Sequence, residues 1–378
     1  MKQLHLLMSG AMVAILAFGA APAHAAGVSN APLTGASVND TVYAVAEHGG
    51  TIYAGGDFGY AFEAGRRQVR THLAATTTEG ALTSFAPQVN GSVTALATDS
   101  RHLYVGGTFS EIDGVAMSRI ARFNLTSGKL DTGFKVRINA LPRSLAVGGG
   151  RLYIGGDFNT VNGQPRTKIA AVNVTDGSLV TGFAPQLDYG VRTLELAHDR
   201  LYIGGGFTEV NGSLRPYLAA VRPVDGTLVT GFVPAIDSVV WDVAVDGDHV
   251  YAAQSGWGGV VQSFDLAGNE TWRRVTDGGT QALTVHEGVV YVGGHFETAC
   301  GTTLARDFGD CRSRDRVERR KFFAVTSANT LLDWNPHSDS VRGVLAMTEG
   351  GGAVIAGGSF LTFGAGTQKQ RGLAIFGA

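Results

Sequence analysis

The motif Gly-Gly-x-Phe occurs six times in this chain, each time at the end of an apolar run. The copies begin at Gly55, Gly106, Gly155, Gly204, Gly293 and Gly357, which places them 51, 49, 49, 89 and 64 residues apart. Repeats of this size are typical of a supersecondary unit that buries its apolar faces against copies of itself. Positions that agree between the repeats are therefore framework, and positions that differ are candidates for function.

One complete repeat predicts four antiparallel strands. They are residues 93–97, 102–107, 119–125 and 129–136, and Asp113-Gly114 forms the hairpin turn between the second and the third. No part of the chain after residue 25 has helical periodicity. Four strands in about 50 residues are typical of a propeller blade, so we predict an all-β propeller.

The starts of the innermost strands predict seven blades in residues 26–378. These starts are Val42, Val93, Pro142, Val191, Val240, Thr280 and Val341. The fifth repeat has lost Gly-Gly-x-Phe, and the sixth carries an insertion at residues 297–320. The last repeat ends after its third strand, whereas residues 33–36 match a fourth strand, so we expect an N-terminal strand to complete the last blade and close the ring.

These motifs resemble those of a known family. The pattern Leu/Val-Tyr-x-Gly-Gly-x-Phe, followed by Asn/Asp-Gly, an Ile/Leu-Ala-x-Val/Phe strand and Thr-Gly-Phe, resembles the delta-sixty repeat propellers of secreted bacterial proteins. It is also similar to the repeats of fungal cortical-polarity marker proteins. The resemblance covers almost the whole mature chain and implies an extracellular or cell-surface propeller, but it assigns no catalytic residue.

The N-terminus predicts export from the cytoplasm. Lys2 is followed by an apolar run from residue 6 to 21 and by Ala23-His24-Ala25, the small-residue pattern of a cleavage site. We therefore expect a signal peptide at residues 1–25, and a secreted protein that does not insert in a membrane after cleavage. The formal charge of −2 gives no global electrostatic field that would favour binding to nucleic acid. We also expect the protein to be a monomer.

Cys300 and Cys311 are the two cysteines of the chain, and both lie in the insertion of the sixth repeat. In an oxidising compartment this pair predicts a disulfide that closes a small surface loop. The spacing matches no common metal-ligand pattern.

A short polar side chain precedes each innermost strand. The set is Asn39 or Asp40, Asn90, Asn139, Asp188, Asp237, Asp277 and Asp339. Such side chains commonly bond backbone amides and shape turns, and we favour that interpretation because every repeat has one. The alternative is a ring of oxygen ligands that holds a cation such as calcium, with Asp188, Asp237, Asp277 and Asp339 as the candidates.

The residue type differs from repeat to repeat at the position that follows the start of each innermost strand. The residues are Tyr43, Thr94, Arg143, Arg192, Trp241, Gln281 and Arg342. Because equivalent positions of a propeller gather around one axis, we predict that Tyr43, Arg143, Arg192, Trp241, Gln281 and Arg342 form a ligand-binding surface at the mouth of the channel. Arg suits carboxylates, and Trp and Tyr can stack on a sugar ring. The alternative is that the Arg side chains pair with Asp188, Asp237 and Asp339 and fill the channel.

These residues support three hypotheses about function. The first is a secreted, non-enzymatic propeller that binds a polysaccharide or a cell-surface partner. The second is a carbohydrate-active enzyme, a lyase or hydrolase of an anionic sugar that uses Tyr43, Asp242 and the Arg cluster. The third is a structural or protein-interaction module whose contact is the cysteine loop. Trp257, in a glycine-rich turn, is either a further stacking residue or a cover for that turn.

Overall fold

The computed structural model describes residues 27–378 except Trp257 and Leu304. The predicted signal peptide and Trp257 therefore lie outside the described residues. The described chain is all-β, as predicted, with three single-turn 3-10 helices at Phe308–Asp310, Ser313–Asp315 and Gly364–Gly366. None of its helices has the length and apolar character needed to cross a membrane.

Seven antiparallel sheets share one meander of an inner, a second and a third strand. The inner strands are Val42–His48, Val93–Thr98, Pro142–Gly148, Val191–Ala197, Val239–Asp246, Thr280–His286 and Val344–Gly350. The second strands are Thr51–Gly56, His102–Gly107, Arg151–Gly156, Arg200–Gly205, His249–Gly256, Val289–Gly294 and Ala353–Gly358. The third strands are Leu73–Thr77, Ile120–Asn124, Ile169–Asn173, Leu218–Val221, Gly258–Phe264, Phe322–Thr326 and Leu373–Phe376. We number the sheets one to seven in this order.

Short hairpins connect the second and third strands of several sheets. In sheets two, three, four and seven they pair Glu111–Ile112 with Val115–Ala116, Thr160–Val161 with Gln164–Pro165, Glu209–Val210 with Ser213–Leu214, and Thr362–Phe363 with Gln368–Lys369. In sheet one, Tyr60–Glu63 pairs with both Arg66–Val69 and Ser37–Val38. The Asp-Gly and Asn-Gly turns lie at positive φ, as the sequence predicted for Asp113, Asn162 and Asn211.

The fourth strands of most sheets are shorter in the structure than the sequence predicted. Sheet five has a complete one, Glu270–Thr276, whereas the equivalent segments of several other sheets make single bridges such as Val172 to Leu179. The reason is a turn in which the Phe183 N–H donates to the Val180 carbonyl at 3.2 Å. This turn sends the Phe183 ring into the core, where it packs edge-on against Tyr153, so the segment leaves the sheet early.

The insertion of the sixth repeat lies across the outer edge of sheet five. Its strands Thr298–Cys300 and Arg316–Glu318 extend that sheet to six strands. The predicted disulfide joins Cys300 to Cys311, and both residues are buried. Arg274 is also buried, and its guanidinium donates to the Cys300 and Gly301 carbonyls at 2.7 and 2.9 Å. The insertion therefore covers a strand edge that would otherwise be open.

The repeated glycines allow close contact within and between sheets. A Cβ on Gly155 would lie 2.5 Å from Val191 Cγ1 of the next sheet, and a Cβ on Gly56 would lie 2.0 Å from the Thr41 carbonyl oxygen. Both distances are too short for any side chain, which explains why glycine recurs here. In sheet seven, the same contact joins Gly357 to Val42 of sheet one.

The tyrosines that recur before Gly-Gly-x-Phe belong to the core. They are Tyr53, Tyr104, Tyr153, Tyr202, Tyr251 and Tyr291, all at most 7% exposed. The Tyr104 hydroxyl donates to Asp99 Oδ2 at 2.8 Å, and the Tyr153 hydroxyl donates to the Pro223 carbonyl at 3.0 Å. The hydroxyls of Tyr202 and Tyr251 have no hydrogen-bond partner among the described residues.

Candidate functional site

A β-bulge near the start of each inner strand sets the geometry of the candidate site. In sheet one, Val42 pairs with Gly56 and Ala44 with Gly55, so Tyr43 is left without a partner in the ladder. The residues left out in the same way are Tyr43, Thr94, Arg143, Arg192, Trp241, Gln281 and Leu345. Bulges of this kind re-aim a side chain, so the variable position is a structural feature that every repeat has.

The prediction for sheet seven was wrong in register. Its inner strand begins at Val344, not Val341, so the bulged residue is Leu345. Val344 lies five positions after Asp339, whereas Val42 lies three positions after Asn39, so this connection carries two extra residues. Arg342 lies in this longer connection and still reaches the site, because the Nη1 atom of Arg342 donates to the Tyr43 hydroxyl at 3.2 Å.

One cavity of about 540 Å³ collects all six predicted ligand-binding residues. We call it the mouth cavity. Its lining includes Tyr43, Arg143, Arg192, Trp241, Gln281 and Arg342, together with Asp57, Thr94, Thr108 and Leu345. The Gln281 Oε1 atom is buried without a hydrogen-bond partner in the described chain and faces Gly343. The central geometric expectation, that unlike side chains from different repeats meet in one place, therefore agrees with the structure.

Tyr43 and Arg143 are each held by an aspartate that lies fourteen positions later in the chain. The Tyr43 hydroxyl donates to Asp57 Oδ2 at 2.7 Å. Arg143 donates to Asp157 Oδ2 through Nε at 2.9 Å, and its Nη2 lies 2.7 Å from the same oxygen. Both aspartates occupy the variable place of Gly-Gly-x-Phe. The alternative in which the Arg side chains pair with Asp188, Asp237 and Asp339 is therefore wrong for Arg143.

Arg192 has no carboxylate partner. The residue fourteen positions later is Gly206, which has no side chain to offer. The Arg192 guanidinium lies 4.0 Å above the centre of the Trp241 ring, and no described residue accepts a hydrogen bond from it. Burial, followed by the nearby charge of Arg143, lowers the pKa of Arg192. The mouth cavity therefore holds a guanidinium that forms no direct ion pair with a described residue, while the Asp157 carboxylate bound to Arg143 acts on its charge from a distance and raises its pKa.

The Asx side chains bond backbone amides. Six of them accept N–H groups from two consecutive residues of the following hairpin or loop: Asn39, Asn90, Asn139, Asp188, Asp277 and Asp339. The partners lie twenty or more residues later, not two as in a local Asx turn. Asp237 differs, since it is exposed and its carboxylate lies 3.9 Å from Arg273 Nη1.

The proposed calcium ring is not assembled in the described chain. No group of three or more His, Cys, Asp or Glu residues lies close enough there to hold a metal ion. Asp188, Asp277 and Asp339 each use Oδ1 on backbone amides instead. These side chains therefore bond backbone amides, as we favoured, but the amides belong to a hairpin or loop twenty or more residues later and not to a local turn.

Two acidic residues line further cavities between the inner strands, and the sequence singled out only Asp242 of the two. Asp242 accepts hydrogen bonds from Thr193 Oγ1, the Val243 N–H and the Leu283 N–H at 3.0 to 3.1 Å. Burial raises the pKa of Asp242 to about 6. Burial, together with the nearby Asp242, raises the pKa of Glu195 to about 8.

Glu195 could have been found by comparing the repeats. It pairs with Tyr202, and the equivalent residues of the other sheets are Ala46, Ala97, Ala146, Ala244, Thr284 and Thr348. A carboxyl at a position that is otherwise alanine or threonine marks sheet four as different. Arg192 belongs to the same strand, so this sheet carries two exceptions to the repeat.

Comparison with known proteins supports the fold. A family model described as a domain of unknown function (DUF5122) beta-propeller matches residues 101–134 and 150–183. The WD40 beta propeller domain of Doa1 is similar over 91% of this chain and 96% of its own, with 11% identity and a TM-score of 0.53. The computationally designed Ika8 protein is similar over 93% of this chain and 100% of its own, with 13% identity and a TM-score of 0.50. No curated protein sequence matches the chain. The chain therefore has a β-propeller fold.

Proposed function

We propose that this propeller is a binding module that holds an anionic ligand, part of a polysaccharide or of a cell-surface partner, at the mouth cavity. The observation that carries the proposal is the Arg192 guanidinium, which lines the cavity without an acidic partner. A half-buried cation costs free energy unless it is paired. A ligand carboxylate would supply the missing pair, through the bidentate geometry that the guanidinium favours.

The proposal depends on seven blades arranged in a closed ring. The inner strand of each sheet packs against that of the next, and that of sheet seven packs against that of sheet one. The Leu33 N–H donates to the Ile375 carbonyl at 2.7 Å, so the N-terminal segment lies beside the third strand of sheet seven. These contacts support closure by the N-terminal strand, which would hold the residues of the mouth cavity at fixed distances from one another.

Arg143 and Arg342 would have secondary roles in the site. Arg143 is paired with Asp157, so its charge is already balanced. Arg342 donates a hydrogen bond to the neutral Tyr43 hydroxyl, so its positive charge adds to that of the cavity mouth. We expect Arg192 to contribute the most to binding, Arg342 less and Arg143 the least.

Calorimetric titration with an oligomer of galacturonate, a carboxylate-bearing sugar, tests this proposal. Arg192→Ala is expected to weaken binding at least about tenfold, because a charge-assisted bidentate pair is lost. Arg314→Ala is the matched control, since that side chain is 74% exposed in the cysteine loop. Equal affinities for the two variants, or equal affinity of the wild type for an uncharged oligomer of the same length, would refute the proposal.

A second candidate function is catalysis on an anionic sugar. The specific observation in its favour is the raised pKa of Asp242 and of Glu195, because carboxyls that titrate near neutral pH are suited to proton transfer. If it is correct, wild-type protein should shorten a uronate polymer and Asp242→Asn should not. A polymer that keeps its length with both proteins would exclude this candidate for that substrate.

A further inference from the structure

We infer that Tyr189 is a sugar-stacking residue beside the mouth cavity, and that the anionic ligand is therefore an acidic carbohydrate. This inference rests on the anion site proposed at Arg192. It replaces Tyr43 and Trp241 as the stacking residues, because Arg192 covers one face of the Trp241 ring and the Tyr43 hydroxyl is bonded to Asp57 and Arg342.

Tyr189 is placed in the connection that enters the inner strand of sheet four, three residues before Arg192. Its side chain is 66% exposed, which is unusual for a tyrosine in a chain whose repeated tyrosines are all buried. The residues at the same position of the other repeats are Asp40, Gly91, Ala140, Ser238, Gly278 and Ser340. Sheet four therefore presents an aromatic ring where the other sheets have small or acidic residues.

The Tyr189 ring packs against Gly206. A Cβ on Gly206 would lie 2.9 Å from Tyr189 Cδ1 and 3.3 Å from Cε1, so the ring packs directly on the glycine backbone. The same place in the other Gly-Gly-x-Phe copies is taken by Asp57, Thr108, Asp157, His295 and Ser359. Glycine at position 206 thus has two effects in sheet four: it offers Arg192 no carboxylate, and it leaves room for one edge of the Tyr189 ring.

Tyr189 and Arg192 flank residues 190–191, which pair with the Gly205–Gly206 segment: Val191 faces Gly205, and the Gly206 N–H donates to the Gly190 carbonyl at 3.1 Å. The tyrosine and the guanidinium therefore lie at the same end of sheet four. The apolar C–H face of a pyranose packs well on an exposed aromatic ring, while a carboxylate on the same sugar would reach the guanidinium. Thr94, Thr108 and Gln281 line the cavity with polar groups that suit sugar hydroxyls. This combination favours a uronate-type sugar over an acidic peptide.

The test compares Tyr189→Ala, Tyr189→Phe and Gly206→Thr in titrations with the galacturonate oligomer and with an acidic peptide of equal charge. We expect Tyr189→Ala to weaken binding of the oligomer about five- to tenfold and Tyr189→Phe to bind as the wild type does, because the ring is what stacks. Gly206→Thr should weaken binding by a similar factor, since its Cβ displaces the ring. Leu214→Ala, at a residue that is 70% exposed in the hairpin of the same sheet, should change nothing.

The outcomes separate this inference from the proposal on which it rests. If Arg192→Ala loses the oligomer and Tyr189→Ala binds it as the wild type does, the stacking role is wrong and the anion site stands. If the acidic peptide binds more tightly than the oligomer and Tyr189→Ala weakens it, the carbohydrate assignment is overturned in favour of a protein partner. If no variant changes the affinity for the oligomer, both the stacking role and the anion site are wrong.

Discussion

Gly56→Ala is expected to lower the free energy of unfolding by about 4 kcal/mol, among the largest effects a single substitution produces. The added Cβ would lie 2.0 Å from the Thr41 carbonyl oxygen and 3.0 Å from Val42 Cα. Both are backbone atoms of the segment that leads into the inner strand, so neither can move without disturbing the bulge at Tyr43. Denaturant unfolding followed by tryptophan fluorescence measures the change.

Gly59→Ala is the matched control. Gly59 lies three residues later, and a Cβ there meets no atom within 4 Å. The expected change for this variant is below about 0.5 kcal/mol. Similar losses in both variants would mean that alanine is disfavoured in this segment for a reason other than the contact with Thr41.

Glu195→Gln is expected to stabilise the folded protein increasingly as the pH rises. The folded state raises the pKa of Glu195 from 4.5 to about 8, and no described residue donates a hydrogen bond to its carboxyl. Between these two values the unfolded chain releases the proton while the folded chain retains it, so the wild type loses stability as pH rises. A glutamine at position 195 does not titrate there, so the stability advantage of the variant should grow from near zero at pH 4 to about 5 kcal/mol at pH 9.

Unfolding measured from pH 4 to pH 9 for the wild type, Glu195→Gln and Glu209→Gln tests this expectation. Glu209 is an exposed carboxylate in the hairpin of the same sheet, so its substitution should leave the pH dependence unchanged. A stability difference between Glu195→Gln and the wild type that is the same at every pH would show that Glu195 ionises normally in the fold.

The repeat predicted the framework because the same contact constrains every copy. Gly56, Gly155 and most of their equivalents face backbone or side-chain atoms that an added Cβ would meet at less than 3 Å, whereas Gly106 has 3.2 Å and sheet five has Ala253 and Gln254 at these positions. The buried tyrosines follow the same logic. The meeting of the mouth-cavity residues could also be predicted, because equivalent positions of a propeller's repeats gather around one axis.

Alignment of the repeats alone could not predict the register of sheet seven, where Leu345 and not Arg342 is the bulged residue. Two extra residues in the connection at Asp339 shift the register, and Val341-Arg342 resembles the Val191-Arg192 pair closely enough to hide the shift. The true start at Val344 is defined by its pairing with Gly358. Such a pairing is a long-range contact that a local pattern does not encode.

The sequence contains the residues that make the surroundings of Arg143 and Arg192 different, but the geometry of the bulge was needed to identify them. Both are arginines at the same position of neighbouring repeats. The residue that decides their environment lies fourteen positions later, where Asp157 neutralises Arg143 and Gly206 leaves Arg192 unpaired. Once a hydrogen bond such as Tyr43 to Asp57 establishes this spacing, the repeats can be compared pair by pair.

The most direct test of the account is a crystal structure of the protein with a galacturonate oligomer bound. We expect one sugar carboxylate within hydrogen-bond distance of the Arg192 guanidinium, about 2.7–2.9 Å between nitrogen and oxygen, and a sugar ring stacked on Tyr189. An oligomer bound away from the mouth cavity, or one whose carboxylates contact other residues while Arg192 stays unpaired, would contradict it.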